Sequence, residues 1–231
     1  MESTFPCVIC NRQMLEFDKI TKCTYCGKNE EAEYLCSEGH YVCEECRLDS
    51  PVNIIRKTCR VTRETDPAKI AVLLMKHTAM PMSGPEHHVL MGCVLLAALR
   101  NSGNFEIPDT AFEEVIKRAQ LIPFGSCGLL GTCGAAVGAG IAVSVATKTS
   151  IMSDRERSLC LLIVSRALER IAKIGGPRCC KASVFASIEV VTELLQECLE
   201  IKLPKLETIQ PCQFAEANRN ECLRDRCLYF K

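Results

Sequence analysis

The chain has no tryptophan, and aromatic residues make up 5% of its 231 positions. Recognition of nucleic-acid bases by stacking would have little to work with. An excess of one charge is also missing: 28 Lys and Arg balance 28 Asp and Glu. Proteins that grip a phosphate backbone carry a basic surplus, so no nucleic-acid partner is expected. The opening stretch MESTFPCVICNRQ has no basic region followed by an apolar run, the mark of a secretory leader. The expected location is therefore the cytoplasm, where thiols stay reduced. Several catalytic signatures are lacking too. There is no H-E-x-x-H, no G-x-S-x-G, no P-loop and no G-x-G-x-x-G fingerprint. Zinc-dependent hydrolysis, serine chemistry and nucleotide-cofactor chemistry are not expected.

What the chain has in abundance is cysteine, 18 residues of it. In a reducing compartment, cysteines in spaced pairs read as metal ligands or redox groups. The first 60 residues hold Cys7, Cys10, Cys23, Cys26, Cys36, His40, Cys43 and Cys46, spaced C-x2-C-x12-C-x2-C-x9-C-x3-H-x2-C-x2-C. Each C-x2-C pair lets two thiolates of one tight turn hold one ion, and zinc takes four such ligands in a closed structural site. Eight ligands make two sites, so two zinc ions are expected. A segment this short and this poor in large apolar side chains would not fold without metal. Iron–sulfur ligation is the alternative, because the pair alone does not choose the metal. An interleaved arrangement is preferred over a sequential one. It joins Cys7, Cys10, Cys36 and His40 at one ion and Cys23, Cys26, Cys43 and Cys46 at the other. Gly27 behind the second pair suits a zinc knuckle, with Cys43 and Cys46 at a helix start as in a treble-clef finger. A short hairpin is expected to carry Cys36, His40 and Cys43. The spacing resembles RING fingers only in part, since a further cysteine pair after Cys46 is missing.

Residues 61–231 read as a helical, cysteine-rich domain with a cysteine-bearing tail, so the fold class is mainly α with a small zinc-binding module. Asp66 and Pro67 mark one helix start, and Pro85 and Gly103 bracket another. Asp109 precedes a third, and Ser153 with Glu156 forms a capping-box pattern before a fourth. Pro204 ends the last. Cys160 and Cys198 fall mid-helix and read as core. The segment FGSCGLLGTCGAAVGAGIAVSVATKTS, residues 124–150, has one charge, Lys148. It is long enough to cross a bilayer. Its six glycines and the lack of Trp and Tyr anchors argue instead for a buried central helix, about Gly131 to Thr147. No membrane span is expected. Gly134 and Gly138 would let neighbouring helices approach.

Chemistry-bearing residues gather at helix ends in this domain. Cys127 and Cys133 lie on a Gly-rich turn, with Cys133 near a helix N-terminus, where backbone N–H groups favour the thiolate. Cys179 and Cys180 follow a Gly-Gly-Pro turn before another helix. His77 ends one helix, and His87 and His88 begin the next. Neutral imidazole is a common metal ligand. The tail adds Cys212, Cys222 and Cys227, enough thiols to complete an iron–sulfur cluster or a further metal site.

The segments CTYCG, CSEGHYVCEEC, HTAMPMSGPEHHVLMGCVLLAAL, CGLLGTCGAAVGAGIA, GGPRCCK and CLRDRC resemble an uncharacterised family of cysteine-rich proteins from anaerobic microbes. It is a domain of unknown function, sometimes attached to methyltransferase or radical-SAM proteins. More distantly, the chain is similar to a redox-active family named for its C-GCAxxG-C-C signature. Here the order is Cys133-Gly134-Ala135-Ala136-Val137-Gly138, so a redox role is implied without residue assignments. Two functions compete. One is metal- and thiol-dependent redox, sulfur-transfer or cluster-handling chemistry, using Cys127, Cys133, Cys179, Cys180, His77, His87 and His88, with a redox, methyltransferase or radical-SAM partner. The other is a zinc-finger interaction adapter without chemistry, which would have no use for ten cysteines after residue 60.

Overall fold

A computed structural model describes residues 6–206 and 212–230. Two antiparallel strands come first, β1 (Met14–Lys22) and β2 (Asn29–Cys36). The turn between them is the Cys23–Lys28 knuckle, closed by hydrogen bonds from Cys23 N to Lys28 O (2.8 Å) and from Gly27 N to Cys23 O (2.9 Å). Gly27 has φ +73°, a left-handed conformation that an L side chain rarely adopts. The hairpin thus carries Cys23 and Cys26 at its tip and Cys36 at the end of β2, while His40 and Cys43, also expected on a hairpin, lie beyond it. The chain after Cys36 instead turns at Gly39 (φ +80°) and enters a helix, because this turn serves the ligands and not strand pairing.

That helix is α1 (Glu44–Leu48), capped by the sulfur of Cys43, which accepts from Cys46 N. Then come α2 (Pro51–Val61) and α3 (Pro67–Met75), each with proline at its first turn. Ser50 caps α2 and Asp66 caps α3, accepting the N–H groups that the first turn leaves free. The others are α4 (Glu86–Asn101), α5 (Thr110–Gln120), α6 (Ser126–Leu129), α7 (Gly134–Ala146), α8 (Arg155–Ile174) and α9 (Cys180–Leu199). Helix dominates among the described residues, and the protein is mainly α. No helix there is long and apolar enough to cross a membrane.

α4 and α7 share the centre. α4 packs against α2, α3, α5, α7 and α9, and α7 against α4, α5, α8 and α9. Where they cross, a Cβ on Gly138 would lie 2.6 Å from the His88 carbonyl oxygen. Only glycine lets the two backbones come this close. α2 lies across the expected boundary at residue 60 and packs on the helical body. Its C-terminus is tied to α4 by Arg100, whose Nη2 donates to Cys59 O (2.9 Å) and Arg60 O (3.1 Å).

Three local expectations are corrected. The capping box does not form: Asp154 precedes α8, and the Ser153 hydroxyl closes its own turn by accepting from Ser150 N (3.0 Å). Cys198 is exposed, on the outward face of the outer helix α9, while Cys160 of α8 is partly buried and packs against the core as expected. α9 stops at Leu199, where Glu200 turns left-handed (φ 58°), before Pro204 is reached.

Candidate metal centres and a cysteine-lined cavity

Eight ligands of the N-terminal module form two groups, each with its ligand atoms within 4.8 Å of one another. Cys7, Cys10, Cys36 and His40 make one, and Cys23, Cys26, Cys43 and Cys46 the other, so the pairs interleave. A metal bonded to sulfur at about 2.3 Å in a tetrahedron holds its sulfurs about 3.8 Å apart. The separations fit: Cys10 Sγ to Cys36 Sγ is 3.4 Å, Cys26 Sγ to Cys43 Sγ 3.7 Å, and Cys7 Sγ to His40 Nδ1 3.8 Å. Backbone N–H groups of Ile9, Glu38 and Cys46 point at the sulfurs of Cys7, Cys36 and Cys43, at 3.4–3.5 Å. Such donors stabilise thiolates. At Cys23 burial opposes ionisation, but N–H groups of Cys26, Cys43 and Tyr25 carry the thiol below its ordinary value. Both groups can hold a metal ion.

His77 does not join the other candidate residues. It locks the module onto the helical body. Its Nδ1 accepts from Ala79 N (3.1 Å), which leaves Nε2–H to donate to the carbonyl of the ligand Cys46 (2.9 Å). The fully buried Tyr25 meets the same ring edge-on at 4.8 Å. The helix end that suggested a catalytic place for His77 faces the module and not the cavity.

In the helical body, Cys127, Cys133, Cys179 and Cys180 line one cavity of about 370 Å³ with His87 and His88. Three helix starts build it. Cys127 lies in the single-turn α6, while Cys133 is the N-cap of α7 and Cys179 that of α9. Burial pushes the Cys133 thiol up, against N–H groups of Ala135 and Ala136 and the Ser183 hydroxyl. Cys179 is raised by burial as well, against N–H groups of Ala182 and Lys181. The His88 ring lies where a Cβ on Gly134 would be, and its Nδ1 is buried without a hydrogen-bond partner. Arg178 stacks over Phe124 at 4.9 Å, and both line the cavity.

The family described as "Family of unknown function (DUF5714)" matches residues 55–230. The chain belongs to it. This DUF5714 segment takes in α3 to α9, the cavity and the tail, while both N-terminal ligand groups lie outside it. No curated protein and no solved structure matches the chain.

The residue that sequence reasoning missed in this DUF5714 body is Lys181. It is only 2% exposed. Its Nζ donates to Pro81 O (3.2 Å) and to His87 Nε2 (3.4 Å), and it lies 4.8 Å over the Phe214 ring. His87 Nδ1 donates to Gly84 O (3.3 Å), which fixes the tautomer. Burial and the Lys181 charge push the His87 pKa down to about 3, so its ring is neutral. With Nε2 occupied by Lys181, His87 is not free to ligate a metal. His88 keeps a free ring nitrogen. A lysine in the first turn opposes the helix dipole, and Lys181 at the end of GGPRCCK carried that signal.

Cys212, Cys222 and Cys227 do not reach the cavity. They line a separate, tight void of about 20 Å³, bordered also by Cys179 and Lys181.

Proposed function

We propose that the chain is a metal- and thiol-dependent protein of redox, sulfur-transfer or iron–sulfur-cluster-handling type, with two structural zinc ions in its N-terminal module. Closed four-ligand sets of sulfur and imidazole support zinc. The observation that carries the chemistry is the convergence of four cysteines and two neutral histidines on one cavity. Backbone N–H groups at the starts of α7 and α9 favour a thiolate once it forms. His88 offers a ring nitrogen as ligand or proton acceptor. A redox, methyltransferase or radical-SAM partner in a reducing compartment belongs to the same reading.

A second reading, an interaction adapter, draws on the module's place outside the DUF5714 match and on its exposed Val8, Leu15 and Ile20. Differential alkylation of the full chain, purified without oxygen and read by mass spectrometry, separates the two. The expected result is two zinc per chain, with Cys127, Cys133 and Cys180 reacting well before the enclosed Cys59 and Cys93. A persulfide donor should pass its outer sulfur to a cavity cysteine, its own thiol leaving, and the alkylated cysteine should then carry one added sulfur. If the cavity thiols react no faster than Cys59 and take up no sulfur, the adapter reading stands.

A further inference from the structure

We propose a third metal site, at the seam between the C-terminal tail and the start of α9, with Cys179, Cys212, Cys222 and Cys227 as thiolate ligands and an iron–sulfur cluster as occupant. It deepens the proposed function and rests on it for the choice of a cluster. The ligand set rests on the fold alone.

The tail is folded back deliberately. Tyr229 Oη donates to Glu189 Oε2 (2.8 Å), and its ring packs on Phe185 with centroids 5.5 Å apart. This brings Cys212, Cys222 and Cys227 to the void that Cys179 borders, walled by Phe185, Phe214 and Tyr229. The thiols are presented as metal ligands are. Arg224 N points at Cys222 Sγ (3.5 Å), the same two-residue step by which Ile9 N meets Cys7 Sγ and Glu38 N meets Cys36 Sγ. Backbone N–H groups of Phe214 and Ala215 serve Cys212, and those of Lys181 and Ala182 serve Cys179.

Spacing separates a cluster from a single ion. Among the described residues, no three of these four cysteines bring their sulfurs within 4.8 Å, whereas the N-terminal groups do. A cluster places iron and sulfide between its thiolates and holds them wider than one ion does. The void is about 20 Å³, so loading a cluster requires the tail to move outward from α9. Because Cys179 also lines the 370 Å³ cavity, the cluster would form part of that cavity's wall.

The test is anaerobic reconstitution of the full zinc-loaded chain with ferrous iron and sulfide. We expect iron and acid-labile sulfide beside two zinc, with broad visible absorbance. Cys212→Ser, Cys222→Ser and Cys227→Ser should each lose that band while keeping two zinc and the wild-type urea midpoint before reconstitution. Cys127→Ser and Cys133→Ser should keep the band. A chain that binds no iron and sulfide, or takes up a third zinc instead, overturns the cluster. A band lost in Cys133→Ser and retained in the tail variants overturns the ligand set. Neither result touches the alkylation test of the cavity, so the two readings fail separately.

Discussion

Replacing Gly138 by alanine tests how α4 and α7 share the centre. The added Cβ would stand 2.6 Å from the His88 carbonyl oxygen and 3.4 Å from both Gly92 N and Met91 Cβ. Separations under 3.0 Å are essentially never seen for a real Cβ, so something must move. The obstacle is backbone and cannot rotate away. α4 cannot retreat either, because α2, α3, α5 and α9 pack around it. The helices must part by several tenths of an ångström along a tightly packed seam. Overpacking of this kind costs about 1–3 kcal/mol, and a backbone obstacle belongs at the upper end. Alanine returns about 1 kcal/mol over glycine in helix propensity. The net loss is about 2 kcal/mol, or a fall in Tm of about 4–8 °C for a chain of this size. Urea titration and a thermal scan of wild type, Gly138→Ala and Gly128→Ala would measure it. Gly128 has nothing within 4 Å of an added Cβ and is the neutral control. A Gly138→Ala protein as stable as wild type would refute the close crossing.

Three further outcomes follow from the structure. If the two N-terminal groups hold metal as proposed, chelation should unfold the segment around them while the helical body keeps its far-UV signal, because α3 to α9 pack without those residues; loss of most helicity would contradict this. Burial and Lys181 hold the folded His87 pKa near 3, below the ordinary 6.5, with His88 adding to the shift. The unfolded ring therefore binds a proton first, so this contribution is complete above about pH 6.5 and shrinks as the pH falls toward 3. Between pH 7 and pH 5 it should remove about 2 kcal/mol in urea titrations, a slope that His87→Gln, which cannot titrate, should lack. Tyr229→Phe removes the hydrogen bond to Glu189 and should release the tail to limited proteolysis at a cost of about 1 kcal/mol; unchanged cleavage would show that the tail is held by other contacts.

Legibility in the sequence followed the range over which each feature is decided. A C-x2-C pair grips an ion within one turn, and Asp66 caps α3 through N–H groups two and three residues away, so both could be read locally. The glycines of α7 could be read too, because a stripe of small residues has few other uses in an apolar helix. The failures were also local in form. Ser153 and Glu156 matched a capping pattern, but a competing turn took the serine hydroxyl. His77 stood at a helix end like the cavity residues, and only the docking of the module decided that its ring serves Cys46.

The sequence by itself determined the two N-terminal ligand sets, the mainly helical body and the gathering of cysteines at helix starts, because spacing and periodicity act within a few residues. Only the tertiary structure decided which of those starts face one another. Cys127, Cys133, Cys179 and Cys180 meet because α6, α7 and α9 open on one cavity. Cys179 also meets the tail cysteines because Tyr229 and Phe214 seat the tail on α9, across more than thirty residues of chain. The Lys181–His87 contact spans 94 residues, and no local pattern encodes the burial that leaves that lysine among thiols.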